Sequence, residues 1–284
     1  MSNRNLRLNI AYHGKKFSGF QAQENVRTVE QELKKAFFTI FRQNVSLRAA
    51  GRTDAGVHAL NQVASVKLST DLSLYRITRG LAAVLPRDLS IWRIDEMPLG
   101  FDARSQSIGK KYTYNIYQGL VPDPFLNETT LFLKAKLDVK RMQAAASLLI
   151  GEHDFESFRA KACTAIHARR FLWHVAVDQK KNLISIDVYG NAFCLNMVRI
   201  ISGTLIEVGL GKREPSSIKD ILLHKDRRSA GISAKPQGLT LACVYYPDDF
   251  RDSLIPNTAR FPRFPPDEKT WPFSDDQIIL GPVL

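Results

Sequence analysis

One stretch of ten residues, AGRTDAGVHA from Ala50 to Ala59, holds a single carboxylate, Asp54. Arg52 stands two residues before it and His58 four after, and Gly51 and Gly56 bracket it. A short Asp/Gly string is most simply a turn. This one joins two segments that read as strands, and loops on rigid strands are where catalytic groups are mounted. The glycines permit close approach of a backbone or a ligand. The cationic neighbours favour an ionised carboxylate, which can serve as a nucleophile or a base. A metal at His58 would need further ligands, and none recur at suitable spacing. The loop has no Ser or Cys to pair with His58 as a nucleophile.

Two residues far away in sequence carry the same kind of signal. Arg199 is the only charged residue between Gly190 and Glu207. Its neighbours Phe193, Leu195, Val198, Ile201, Leu205 and Ile206 describe a helix buried on most sides. A buried guanidinium needs an anionic partner or an escape route to the surface, and Asp54 is a candidate for that partner. Tyr112 follows Lys110 and Lys111 directly. An aromatic on a strand is ordinarily core, but a basic pair beside it also suits a phosphate contact next to a stacked base.

The elements that must position these groups are legible from periodicity. Alternation over 5–12 predicts a strand, and helical spacing of Val29, Leu33, Phe37 and Ile40 predicts a helix over 28–41 with a Thr28/Gln31 capping box. Strands follow at 45–50 and 61–68, on either side of the Asp54 loop, then a helix at 74–85 stopped by Pro86, and a strand at 89–97. A second succession follows: a strand at 110–118, a helix at 138–151, a hairpin at 171–190, helices at 192–209 and 217–225, and a strand at 240–246. The expected fold is α+β, with two similar domains, each a mostly antiparallel sheet with helices on one side. The boundaries are 1–105, carrying the Asp54 loop, and 106–247. From Pro247 onward the chain holds 7 of its 13 prolines without periodicity, so 248–284 reads as a proline-rich surface tail.

Composition narrows the partners. The 284 residues carry 40 Lys and Arg against 28 Asp and Glu, a net charge of +12. That favours a polyanion such as nucleic acid or an acidic membrane surface. No apolar run approaches a membrane span, and the N-terminus lacks the apolar stretch of a secretory signal. Cys163, Cys194 and Cys243 form neither a disulfide framework nor a zinc spacing. A reducing cytoplasm is the expected location.

In order along the chain stand YHGKKFSGFQ, AGRTDAGVHA, Leu85-Pro86, FDARSQSIGKKYTY, GEHDFESFR, NAFCLNMVRIISGTLIEVG and GLTL. Together they resemble the tRNA pseudouridine synthase A family over residues 6–246. The resemblance implies two α+β domains around an active-site cleft, a homodimer, and isomerisation of uridine to pseudouridine in the tRNA anticodon stem-loop, at positions 38, 39 and/or 40. It puts Asp54 on the family's catalytic aspartate, Tyr112 on its active-site tyrosine and Arg199 on the arginine that pairs with the aspartate. Leu241, or with less weight Leu239, falls near its apolar contact to uracil. Arg52 and His58 would help extrude the nucleotide, and Lys110 and Lys111 would grip phosphates. The chain departs from the usual pattern at His13, Phe20, Leu195-Asn196 and Ile200, none of them in the catalytic trio.

The implied reaction breaks N1–C1′, turns the base and joins C5 to C1′. Nothing is added or lost, so no cofactor or metal is expected. Sequence leaves open whether Asp54 attacks C1′, removes a ribose proton or takes part in removing the C5 proton. Two other readings share these residues: an idle RNA-binding module, and a glycoside-type hydrolase, which ordinarily needs a second acid that the loop lacks.

Overall fold

The computed structural model describes residues 2–247. The tail expected at 248–284 lies outside them. The fold is mixed α+β, and its sheet is mostly antiparallel. Backbone contacts divide the chain into two compact units. One comprises residues 2–108 with 241–247, and the other runs Gly109–Thr240.

In the first unit, β1 (Asn3–Tyr12) lies between β3 (His58–Ser69) and β4 (Leu89–Met97), antiparallel to both. Leu6, Leu8 and Ile10 are fully buried, as their alternation requires. The short β2 (Leu47–Ala49) pairs with β3. The last strand among the described residues, β10 (Leu239–Tyr245), also neighbours β3, and its residues from Leu241 belong to this unit. Helix α1 (Val29–Phe41) begins at a complete capping box. The Thr28 hydroxyl accepts the Gln31 N–H, and the Gln31 side chain accepts the Thr28 N–H. Helix α2 (Leu74–Val84) is capped by Ser73, ends ahead of Pro86, and packs against α1 and β4 through buried Ile77 and Leu81.

In the second unit, strands run in the order β5 (Gly109–Gln118), β9 (Leu183–Gly190), β8 (Arg169–Lys180), β7 (Gly151–Asp154), all neighbours antiparallel. A short parallel strand, β6 (Leu131–Leu133), joins β5. Tyr112, Tyr114 and Ile116 are buried on β5 as their spacing predicts. Helix α3 (Val139–Ser147) packs on β8 and on α4 (Met197–Gly209), which is buried almost throughout. Helix α5 (Ser217–His224) is the last α-helix among the described residues.

Two helix bounds differ from expectation. The helix expected over 138–151 stops at Ser147. Gly151, with φ +108°, opens β7 rather than capping the helix. The helix expected from 192 starts at Met197, after Asn196 in the left-handed region with φ 60°. Among the described residues no helix is long and apolar enough to cross a membrane.

Candidate active site

The Asp54 loop leaves β2 and enters β3 at His58, and its backbone is fastened at four points. Ala50 donates its N–H to Val63 O at 2.8 Å, Phe20 to Thr53 O at 3.1 Å, and Gly56 to Phe17 O at 3.2 Å. Val57 donates back to Asp54 O at 3.1 Å, closing a tight turn. Gly56 has φ +78° there. A type II turn requires such a φ at its third residue, so this glycine answers to backbone geometry. Asp54 is half-buried beside an exposed Arg52, with Thr53 buried between them.

The segment after β1 builds the floor of the loop. The Tyr12 hydroxyl hydrogen-bonds Thr53 Oγ1 at 2.7 Å, with both side chains buried. Burial pushes the Tyr12 pKa up to about 12. Gln62 donates Nε2 to Gly51 O at 2.9 Å. Gly14 donates its N–H to His58 Nδ1 at 3.0 Å, and the His13 ring meets His58 edge-on at 4.5 Å. A Cβ on Gly14 would lie 2.1 Å from Val57 O. One on Gly19, which has φ +93°, would lie 2.8 Å from Thr53 O. The glycines of YHGKKFSGFQ therefore exist so that this segment can touch the Asp54 loop. His58, only 4% exposed, is packed into the same joint.

Helix α1 is bound to the same floor. Val29 and Glu30, in its first turn, donate their N–H groups to Gly19 O and Phe20 O at 3.2 and 2.9 Å, satisfying donors that a helix start leaves without partners. Arg27 lies over the Phe17 ring at 4.2 Å and grips Asp88 with two hydrogen bonds of 2.7 and 2.9 Å. These bonds hold the Asp88 carboxyl below its ordinary range.

The second unit positions the other two chemically suggestive residues. Arg199 projects from the first turn of α4. Its Nε donates to Ala234 O at 2.8 Å and its Nη1 to Asn196 Oδ1 at 2.9 Å. The segment carrying Ala234 lies tight on the helix. Ala234 donates its N–H to Arg199 O, and Gly231 donates its N–H to the Thr204 hydroxyl. A Cβ on Gly203 would come within 1.8 Å of Ile232 O. Tyr112, on β5, packs its ring edge against Phe193 at 5.1 Å. The stretch 193–199 thus meets Tyr112 at one end and carries Arg199 at the other. Tyr114, on the same face of β5, donates its hydroxyl to Lys235 O at 2.8 Å.

The remaining expected contacts fare unequally. Lys111 is buried and paired with Asp187 at 3.1 Å, with its ammonium 5.0 Å from the Tyr189 ring centroid. Its charge already has a protein counterion, so a phosphate there would have to compete with a carboxylate. Lys110 is also buried. Leu241 is fully buried in β10, and Leu239 is buried in the same strand. Arg52, two residues before Asp54 in the loop, is exposed.

Sequence reading missed Tyr12, Thr53 and Gln62 as supports and Phe193 as the neighbour of Tyr112. The signal for Tyr12 was present: it ends the alternation of β1 two residues before Gly14. One departure from the usual pattern also reaches further than expected, because Asn196 is a direct acceptor for Arg199. Among the described residues no group of three or more His, Cys, Asp or Glu gathers to hold a metal ion.

Comparison with known proteins bears on both units. A family model described as tRNA pseudouridine synthase matches residues 9–104 and 145–247. The chain is 43% identical to the tRNA pseudouridine synthase A of Geotalea uraniireducens over 86% of this chain and all of that one. It is 37% identical to the enzyme of that name from Vibrio parahaemolyticus, over 88% of this chain and 94% of that one. It is also 37% identical to the one from Acetivibrio thermocellus, over 86% and 100%.

Proposed function

The chain belongs to the tRNA pseudouridine synthase A family, an isomerase family acting on tRNA uridine, and from that premise we propose that it converts uridine to pseudouridine in the anticodon stem-loop, at positions 38, 39 and/or 40, with Asp54 as nucleophile. The observation that carries the assignment to Asp54 is the construction of its loop. A loop that carries the half-buried Asp54 and the exposed Arg52 has its backbone fastened by four hydrogen bonds and is floored by a buried polar cluster. Preorganisation of this kind is what positions a reacting group.

In the proposed route the Asp54 carboxylate attacks C1′ as the N1–C1′ bond breaks. The detached base turns and forms its C5–C1′ bond as the carboxylate leaves, and the C5 proton passes to solvent while N1 takes one up. Atoms balance without a cofactor. Arg52 is proposed to help extrude the nucleotide, whose removal from the stack costs a few kcal/mol, and its exposure in the loop supports that reading. Arg199 and Tyr112 keep the roles that the resemblance implies, the first holding the carboxylate ionised and the second facing the base. His58 and Lys111 are reassigned to support, since both are buried and engaged within the fold. The protein is proposed to act in the cytoplasm as a homodimer, on the strength of the family resemblance.

The decisive experiment is Asp54→Asn on a uridine-containing anticodon stem-loop, with pseudouridine read by carbodiimide mapping and RNA affinity measured in parallel. Product should vanish while affinity stays within about threefold of wild type, because affinity rests mainly on cationic groups. Wild-type product formation by this variant would refute the assignment. Release of free uracil by the unaltered protein would point to hydrolysis instead.

A further inference from the structure

Two side chains that the chemistry does not use grip the Asp54 loop from within. The Tyr12 hydroxyl holds Thr53 Oγ1 at 2.7 Å and also hydrogen-bonds Gln62. Gln62, with no exposed surface, donates Nε2 to Gly51 O at 2.9 Å and accepts the Val63 N–H at 3.1 Å. The chain of contacts runs Thr53, Tyr12, Gln62, Gly51, and so returns to the loop it started from.

Strand register makes this grip. β1 pairs with β3 as Ile10 with Gln62 and then Tyr12 with Ala59, so β3 carries one extra residue there. Such a bulge bends the strand and re-aims its side chains. It lies between Gln62 and the end of the loop. Residues 51 and 53 are held inward at the backbone carbonyl and the hydroxyl, and the charged residues between and after them, Arg52 and Asp54, are left more open. Buried polar groups cost free energy unless satisfied, and apolar side chains would fill the space without that demand. What a fully satisfied network supplies is one fixed geometry.

The geometry points to Tyr12 and Gln62 as positioning residues for Asp54, acting through Thr53 and Gly51 to set where the carboxylate meets the ribose. This inference rests on the reading of Asp54 as nucleophile. It predicts a loss in the chemical step rather than in RNA binding, because none of the four groups needs to touch RNA. A misplacement of about 1 Å can slow a reaction about 100-fold.

The test is single-turnover kinetics of the full chain at saturating stem-loop RNA, well below the melting temperature, for Tyr12→Phe, Thr53→Val, their double variant and Thr53→Ser. Tyr12→Phe and Thr53→Val should each slow the reaction by about 10- to 100-fold, with RNA affinity changed by no more than about twofold. The double variant should be no slower than the worse single one, since both remove the same hydrogen bond. Thr53→Ser keeps the hydroxyl and should recover the rate to within about threefold of wild type. A wild-type rate for Tyr12→Phe, a loss confined to affinity, or multiplicative losses in the double variant would overturn the inference. Should Tyr12→Phe not fold, equal rates for the serine and valine variants at 53 would overturn it as well. Asp54→Asn run alongside separates the two ideas. If it retains activity, the nucleophile assignment falls; if it is dead while Tyr12→Phe is unimpaired, only the positioning role falls.

Discussion

Arg199 shows how a charge in an apolar helix is made useful. Two neutral acceptors, Ala234 O and Asn196 Oδ1, take N–H groups from its fork and so orient the guanidinium. Lysine could not reproduce this, because its ammonium is a single point on a flexible stem. Arg199→Lys should therefore slow pseudouridine formation by about tenfold or more, with RNA affinity within about threefold, as read by single-turnover rates and filter binding. A wild-type rate would mean that charge alone suffices. At this scale the sequence was a partial guide. The isolation of Arg199 among apolar residues announced that it needed support, but the acceptors come from a loop more than thirty residues downstream and from the helix cap. Lys111 illustrates the opposite case. Its type and place beside Tyr112 suggested a phosphate contact, but Asp187, across the strand pair, had claimed it, and pairing partners on a neighbouring strand are invisible until register is known.

Among the elements, those with strong local signals were legible. The strand at Leu89–Met97 and the capping box of α1 came directly from alternation and from Thr28 and Gln31. The starts and stops of α3 and α4 did not. Gly151 looks like a helix terminator until its φ of +108° is seen to open a strand. The apolar run from Ala192 looks helical, although Phe193 is committed to Tyr112 before the helix begins. Glycines divide along the same line between backbone demand and indifference. Gly203 faces Ile232 O at a distance no methyl can occupy, whereas a methyl on Gly80 in α2 would meet only the Ile40 side chain, at 3.4 Å. Gly203→Ala should cost about 1–3 kcal/mol and, because it displaces the segment that holds Arg199, should also slow catalysis. Gly80→Ala should stabilise by up to about 1 kcal/mol. Thermal melts of the two variants check both signs, and a neutral Gly203→Ala would show that the 231–234 segment yields freely.

For the whole molecule, buried and paired titratable groups set the pH limits. The Asp88 pKa is lowered by Arg27. A carboxylate so depressed adds stability above its unfolded pKa of about 4 and loses it as pH falls through the folded value. Tyr12 works at the other end. Its pKa is raised to about 12 by burial against about 10 in the unfolded chain, so stability is complete below pH 10 and drains away between about pH 10 and 12. Melting temperature should fall on both limbs. Asp88→Asn should flatten the acid limb and Tyr12→Phe the alkaline one, as measured by melts from pH 3 to 11.5. Unchanged limbs in these variants would assign the titrations to other groups.

The order in which the chain is made has a bearing on the sheet of the first unit. Its described residues from Leu241 onward come after the whole of Gly109–Thr240, and they supply a neighbour to the edge of β3 that the three-residue β2 covers only in part. A chain released from the ribosome at Thr240 would own every residue of the Asp54 loop, yet would leave the strand that leads out of that loop with part of one hydrogen-bonding edge unpaired, a template for aggregation. Possession of Asp54 and possession of a finished scaffold are thus separated in time by a full unit of synthesis, and only a polypeptide extended through β10 has both.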